Sequence, residues 1–324
     1  MDSPNPNTPI QSDPSTENEA FRLLSDETRL GVLRALWEHH DPADPAPMRF
    51  SELRERVGVD DPGRLNYHLN ELRTSFVGRS EDGYELREAG KRIVRVLLSG
   101  TAMRDPVIDP VEVDTSCWYC GEPTEWSYRD GWRYLECTGC DARCVESFPP
   151  GVISKNEFPP SGLLDRTPNE INEADRVWAA HRRASVMDGI CPECAGNMPV
   201  SSVRICGDHR PDWEEYQFCS ACGSIFWMLV SHVCDVCKYS WRMPTLFYPT
   251  REPAVVAFYH EHGIEFDLAT YEQRALLLDF EEELLSEEPL RIRITIPLAD
   301  EALQLTFDGQ MDVVDVSRRT NGAG

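Results

Sequence analysis

The stretch Cys117–Cys140, CWYCGEPTEWSYRDGWRYLECTGC, holds two cysteine pairs with two residues between the members of each pair. The pairs are Cys117/Cys120 and Cys137/Cys140. A pair of this spacing forms a turn that offers two thiolates to one metal ion, and two such turns complete a tetrahedral zinc shell. Asp130-Gly131, the strongest short hairpin signal, stands at the centre of the 16 residues between the pairs. The stretch therefore predicts a zinc ribbon over residues 117–150.

Three further pairs of the same spacing follow, at Cys191/Cys194, Cys219/Cys222 and Cys234/Cys237. Because three half-sites cannot form two complete shells, either one cysteine pair binds no metal or the chain contains a fourth half-site. Cys206 and His209, in the stretch ICGDH, have the same two-residue gap, and histidine is an ordinary zinc ligand. His232 competes for this role, but it alternates with apolar residues on a predicted strand, so we expect it to be packed. Six half-sites predict about three zinc ions per chain.

The lengths of the connections favour one pairing of the last four half-sites. Residues 195–205 and 223–233 number eleven each and have the character of strands without a central turn. Such strands span roughly 36 Å, so consecutive half-sites cannot share a metal ion. The nine residues 210–218 contain Pro211 and Asp212 and can turn back, which makes the strands antiparallel with one zinc at each end. The nested shells are Cys206, His209, Cys219 and Cys222, and Cys191, Cys194, Cys234 and Cys237. A crossed pairing stays open, although it needs the connection nearly taut.

Composition indicates a modular protein of the cytoplasm. A chain of 324 residues with 41% hydrophobic residues predicts two or three modules with buried cores. The first twenty residues lack the basic start and apolar centre of a secretory signal, and no apolar run approaches the roughly 18 residues of a membrane span. The chain has twelve cysteines, and in the reducing cytoplasm we expect them to be metal ligands rather than disulfides, except for Cys144, which is left over from the pairs and is expected to be a small buried residue. We expect no membrane contact.

The net charge of −24 is unevenly distributed. Residues 21–104 carry 14 Arg and Lys against 14 Asp and Glu, whereas residues 105–324 carry 18 against 38. Residues 21–104 are therefore neutral, whereas residues 105–324 have an excess of acidic residues, which disfavours binding to phosphate groups. The chain also has only three lysines. An acidic, lysine-poor composition predicts a halophilic protein that works in molar salt. The alternative is an acidic mesophilic protein from a GC-rich genome.

The neutral segment has the pattern of a DNA-binding fold. Apolar residues at helical spacing predict helices in LLSDETRLGVLRALWEHH (23–40), ELRERVG (52–58) and RLNYHLNELR (64–73). Ser51 is the expected cap of the second of these. FVGRSEDGYELREAG (76–90) follows as two short strands around Asp82-Gly83. Helices followed by a hairpin in this order predict a winged helix-turn-helix over residues 20–104.

These four blocks, in order, resemble ArsR-type winged helix-turn-helix regulators, especially those of halophilic archaea, over residues 20–100. The resemblance implies that RLNYHLNELR enters the major groove of double-stranded DNA while the hairpin touches the backbone. It also implies a homodimer packed through KRIVRVLLSGTAM (91–103), although this helix equally suits packing on its own domain. The helix-turn-helix lacks the paired cysteines of metal-sensing members, so a sensor role there is unsupported.

The helix RLNYHLNELR has two predicted faces. Leu65, Leu69 and Leu72 face the core, which turns the polar residues outward. His68 suits a buried support as well as a base contact. Arg73 and Arg79 are expected on phosphates, since arginines near the groove edge position a protein without reading sequence. The predicted DNA-binding residues are Arg64, Asn66, Tyr67, His68, Asn70, Arg73 and Arg79.

The predicted fold class is α+β: a winged helix-turn-helix, zinc-ribbon modules and a small C-terminal α/β segment with an antiparallel sheet. Residues 117–319 loosely resemble the zinc-binding part of the same archaeal regulators. Residues 267–288 are expected as helix or acidic loop, and three strands are expected over 290–319. The predicted divisions are a disordered acidic tail (1–19), the winged helix (20–104), a linker (105–116), the ribbon (117–150), a bridging helix with a two-zinc β-hairpin (151–248) and a C-terminal helix plus strands (249–319).

Three functions are compatible with these patterns. The leading one is a sequence-specific DNA-binding transcription regulator with structural zinc sites. The first alternative is a protein-interaction adaptor, and the acidic zinc-binding region is a possible partner surface in either case. The second is a rubredoxin-like iron-thiolate redox protein. We expect no enzyme, because four protein ligands per zinc leave no position for a reactive water.

Overall fold

The computed structural model describes residues 21–100, 106–141, 148–209, 219, 221, 226–265 and 275–320. The chain divides into two compact units, a first unit of residues 1–104 and a second unit of residues 105–324. The tail predicted over residues 1–19 lies outside the described residues. Mixed α+β architecture with several antiparallel sheets is shown, as the fold class predicted.

The first unit is built from helices and one hairpin. Its helices are α1 (Glu27–His39), α2 (Phe50–Val57), α3 (Pro62–Leu72) and α4 (Glu88–Leu98). Its strands β1 (Val77–Arg79) and β2 (Tyr84–Leu86) pair antiparallel around the predicted turn at Asp82-Gly83. Residues 101–103, which we expected to continue α4, lie outside the described residues.

Caps define the ends of these helices. The side chain of Asp26 accepts a hydrogen bond from the backbone of Arg29 and starts α1, and that of Asp61 accepts from Gly63 and Arg64 and starts α3. Gly58 ends α2 in the left-handed conformation at φ 71°. The expectation that Ser51 caps α2 is wrong, because the helix already begins at Phe50.

The second unit opens with a four-stranded antiparallel sheet in the order β3-β4-β5-β6. The strands are β3 (Ile108–Ser116), β4 (Pro123–Arg129), β5 (Trp132–Cys137) and β6 (Val152–Glu157). Asp130 and Gly131 make the predicted tight turn between β4 and β5, with φ of 54° and 77°. The linker predicted over residues 105–116 is wrong for most of its length, because β3 pairs with β4 as an edge strand.

The predicted bridging helix is α5 (Pro168–Met187), which packs on this sheet. Thr167 and Glu170 form a reciprocal capping box at its start. A fully buried ion pair joins helix to sheet, with Arg133 Nη1 3.3 Å from Asp175 Oδ2. Asn156 also donates to Asp175 at 2.8 Å, so polar contacts hold α5 in one register on the sheet.

Two further antiparallel sheets complete the second unit. The first contains β7 (Val200–Ile205), β8 (Met228–Val233) and β9 (Ser240–Pro244), so the predicted two-stranded hairpin has a third strand. The second contains β10 (Glu281–Glu287), β11 (Leu290–Leu298), β12 (Glu301–Asp308) and β13 (Val313–Thr320). Between them lie a 3₁₀ segment, Thr245–Arg251, and helix α6 (Pro253–Glu261), and one core joins both sheets and this helix.

The three strands predicted over residues 290–319 are present, but the helix or acidic loop expected over 267–288 is wrong in its last part. Residues Glu281–Glu287 form β10 instead, paired with β11. Residues 266–274 lie outside the described residues. No helix of the described ranges is both long enough and apolar enough to cross a membrane.

Candidate metal centres

The first cluster is formed by Cys117, Cys120, Cys137 and Cys140, whose sulfur atoms all lie within 4.8 Å of one another. Cys117 Sγ is 3.9 Å from Cys140 Sγ, and Cys120 Sγ is 3.4 Å from Cys137 Sγ. Four sulfurs bound tetrahedrally at about 2.3 Å from a zinc ion would lie about 3.8 Å apart. These separations also exclude disulfides, which need about 2.05 Å. The cluster therefore has the dimensions of an S₄ metal shell.

The second cluster brings together four cysteines that are distant in sequence. Its members are Cys191, Cys194, Cys234 and Cys237. Cys191 Sγ lies 3.6 Å from Cys237 Sγ, and Cys194 Sγ lies 3.5 Å from Cys234 Sγ. The antiparallel pairing of β7 with β8 places the two turns at the same end of the sheet. This is the distal shell of the nested arrangement.

The first two clusters contain four cysteine pairs, and three of these pairs share one backbone turn. In each, the residue after the second cysteine has a positive φ: 80° at Gly121, 57° at Ala195 and 64° at Lys238. Its N–H donates to the carbonyl of the first cysteine, at 2.9, 2.9 and 3.2 Å respectively. This turn aims both sulfurs of a pair to the same side, which is the geometry that a shared metal ion requires.

The third cluster lies at the opposite end of β7 and β8. Cys206, His209 and Cys219 form it, with their ligand atoms within 4.8 Å of one another and with Cys206 Sγ 3.8 Å from Cys219 Sγ. Its predicted fourth ligand, Cys222, lies outside the described residues, as does the turn predicted at Pro211 and Asp212. The described ligands group as the nested arrangement predicts.

The electrostatics of the clusters favour a bound cation. Backbone N–H groups of Cys237 and Val236 donate to Cys234 and lower the pKa of its thiol to about 6. Burial raises the pKa of the Cys117 thiol to about 12. Within one shell, ionising a thiol beside another thiolate is unfavourable unless a positive charge compensates it. A divalent cation supplies that charge, so the three clusters can hold about three metal ions.

His232 is packed on a strand, as its alternation with apolar residues predicts. Its ring is buried on β8, with Nδ1 3.2 Å from the Met198 carbonyl and Nε2 2.5 Å from the Tyr248 hydroxyl. Both ring nitrogens therefore have partners outside the metal clusters. His209, and not His232, is the histidine that the structure places among the cysteines.

All but one of the predicted DNA-binding residues are exposed on the first unit. Leu65, Leu69 and Leu72 are fully buried as expected. The exposed residues are Arg64, Asn66, Tyr67, Asn70, Arg73 and Arg79. Asn66 in the second turn of α3 and Arg79 at the end of β1 line the same open cleft.

The prediction that His68 contacts DNA is wrong, because its side chain is buried. Its side chain is only 6% exposed, and Nδ1 lies 3.5 Å from the Asp26 carboxylate that caps α1. A side chain in this position supports the packing of α3 on α1. It cannot reach a base edge without leaving the core.

Sequence reasoning missed a polar network beside the second cluster. Arg182 on α5 donates to Glu157 on β6 and to the Tyr239 hydroxyl, both at 3.0 Å, and also contacts Glu193. Glu193 lies between Cys191 and Cys194, so Arg182 links the first sheet to the turn of the second cluster. Nothing in the local spacing of these residues signals the contact.

Two family models match the chain. Residues 17–97 match the family described as "Domain of unknown function (DUF7347)", and residues 114–313 match the family described as "Domain of unknown function (DUF7351)". No curated protein and no solved structure matches the chain. The second match contains all three cysteine clusters and covers more than half of the 324 residues. The chain therefore belongs to the family described as Domain of unknown function (DUF7351).

Proposed function

We propose that this protein is a sequence-specific DNA-binding transcription regulator whose second unit is held together by structural zinc. The observation that carries the proposal is the polar face of α3. Arg64 in the first turn of the helix and Asn66 in the second turn are exposed, while the leucines of the helix are buried. In helix-turn-helix docking the start of the recognition helix reaches the base edges, and both residue types can make bidentate contacts there.

The neighbouring hairpin supports the same docking. Arg79 lies on the cleft that also contains Asn66, and its guanidinium carbon is 5.7 Å from the centre of the Tyr84 ring. A hairpin beside the recognition helix is the position of the wing in winged helix-turn-helix proteins, where it contacts the DNA backbone. The first unit therefore presents one residue suited to bases and another suited to phosphates on one surface.

Zinc is the proposed metal because two of the clusters consist of four cysteines each and the third combines cysteines with a histidine. Both kinds of ligand set are typical of structural zinc sites. The first two clusters each offer four protein ligands, which leaves no open position for substrate or water, so we infer a structural role. Iron bound by four cysteines is the competing assignment for these shells. An iron-thiolate site absorbs visible light and zinc does not, so the colour of the purified protein separates them.

Two substitutions are expected to affect DNA binding differently. Asn66→Ala removes a group suited to bidentate base contact and should relax sequence preference by about 1–3 kcal/mol at one position. Arg79→Ala should weaken binding to all sequences alike, because a phosphate contact carries no sequence information. Selection of bound sequences from a random pool, with the full chain in molar salt, measures both effects. High salt is needed to screen the acidic second unit.

Arg34→Ala is the matched control. Arg34 is exposed on α1 and pairs with Glu38, away from the cleft, so its loss should leave both affinity and preference unchanged. A full chain that enriches no sequence at any salt concentration would refute the DNA proposal. The adaptor function would then take its place.

A further inference from the structure

A cavity of about 350 Å³ in the second unit is walled by aromatic side chains from several elements. Its lining includes Trp118 and Tyr119 from the first cysteine turn and Trp132 from β5. Tyr239, which precedes β9, and Trp241 on β9 also line it. Ligand cavities in proteins run from about 300 to 1,000 Å³, so this one suits a molecule of one or two rings.

The described lining residues of this cavity carry more bases than acids, unlike the unit as a whole. Lys155, Arg183 and Arg242 line it, and Glu157 is the one acidic residue among its described lining residues. Glu157 is already bonded to Arg182, at 3.0 Å. Residues 105–324 as a whole carry 38 acids against 18 bases. A local excess of bases in so acidic a unit favours an anionic ligand.

Two of the bases are held against aromatic rings. Lys155 Nζ lies 4.3 Å from the centre of the Trp132 ring and 5.3 Å from that of Tyr134. Arg183 Cζ lies 4.7 Å from the centre of the Phe247 ring. Among the residues that the structure describes, no carboxylate lies within 4.0 Å of the Lys155 ammonium group. Burial raises the pKa of Glu157, although the charge of Lys155 acts to lower it. An anion beside the ammonium group would therefore find it positioned by the rings and available for a charge-assisted hydrogen bond.

Two lining residues are hydrogen-bonded to cysteines of the clusters. Trp118 and Tyr119 are the two residues between Cys117 and Cys120, and the Tyr119 N–H donates to Cys117 Sγ at 3.4 Å. The Tyr239 carbonyl accepts from the backbone of Cys234 at 2.8 Å. Metal bound at these clusters would restrain both segments, which would lower the entropy lost on ligand binding.

We propose that this cavity binds a small aromatic anion, a carboxylate or sulfonate carried on one or two rings. The rings of the ligand stack among Trp118, Trp132 and Trp241, and its anionic group contacts Lys155 and Arg183. This proposal does not depend on DNA binding by the first unit. It assigns a ligand site to the zinc-binding unit.

The test uses the metal-loaded full chain and three matched probes: 2-naphthoate, the neutral 2-naphthalenemethanol and the cationic 2-naphthylmethylamine. Binding is measured by calorimetry and by quenching of tryptophan fluorescence. We expect saturable binding of one naphthoate per chain, and binding of the neutral and cationic probes weaker by at least about tenfold, the effect of one charge-assisted contact. Equal binding of all three probes, or no naphthoate binding, overturns the proposal.

Variants locate the site. Lys155→Gln and Arg183→Gln should each weaken naphthoate binding by about tenfold, and Lys155→Arg should keep most of it. Arg319→Gln removes one positive charge from an exposed position on β13 and should change binding less than about twofold. Metal content and circular dichroism establish that each variant is folded. Folded Lys155→Gln and Arg183→Gln variants that both bind like the parent would contradict the assignment.

Discussion

Removal of the metal ions with a chelator is expected to unfold the second unit while leaving the first unit folded. Binding of a structural zinc ion contributes roughly 10–16 kcal/mol of apparent free energy, which exceeds the net stability of an ordinary domain. The cysteines of the first cluster flank β4 and β5 of the first sheet. Strands β7 and β8 have a cluster at each end. None of the proposed ligands belongs to the first unit.

Tryptophan fluorescence measures this directly, because seven of the eight tryptophans lie beyond residue 104. Trp126, for example, is only 1% exposed in the core of the first sheet. Chelation should shift the emission to longer wavelength, whereas helical circular dichroism from α1 to α4 persists. Metal-free protein, established as such by elemental analysis, with unchanged emission would show that the clusters do not hold the unit together.

The second large effect is expected from Asp175→Asn. Arg133 and Asp175 are both fully buried between the first sheet and α5, so the substitution leaves a guanidinium group in the interior without its counter-charge. Removing one partner of a buried pair typically costs about 3–5 kcal/mol. Equilibrium urea unfolding of the metal-loaded chain measures the change in the free energy of unfolding.

A surface substitution on the same helix provides the control. Glu173→Gln breaks a pair with Arg176 in which the carboxylate is 60% exposed and the guanidinium 12% exposed, so its loss should cost less than that of the fully buried pair. The double change Arg133→Met with Asp175→Leu should destabilise less than Asp175→Asn alone, because no buried charge is left unpaired. If Asp175→Asn costs no more than Glu173→Gln, the pair does not fasten the helix to the sheet.

The metal centres were largely predictable because their geometry is local. Each half-site needs two ligands three positions apart in one turn, and that spacing is visible in any sequence. The pairing of half-sites is a longer-range property, yet the equal spacers of eleven residues and the short connection between them favoured antiparallel strands. That reasoning selected His209 over His232, and the structure places His209 with Cys206 and Cys219.

Other features depend on contacts between distant segments, which local patterns do not reveal. The Asp-Pro steps of residues 105–116 indicated a linker, but an edge strand such as β3 tolerates proline because part of its backbone needs no partner. Strand β10 is also an edge strand, and its acidic composition hid its alternating burial. The ion pair of Arg133 with Asp175 combines a residue of a strand with a residue of a helix. The lining of the aromatic cavity also combines residues from segments that are distant in sequence.

Each of the three cysteine clusters is proposed to bind one zinc ion, and native mass spectrometry counts the bound ions. The measurement compares the parent chain with His209→Gln and with His232→Gln, which keeps a polar group for Met198 and Tyr248. We predict three zinc ions in the parent, two in His209→Gln and three in His232→Gln. Fewer than three zinc ions in the parent would refute one ion per cluster, and loss of one from His232→Gln while His209→Gln retains all three would show that His232 is the ligand instead of His209.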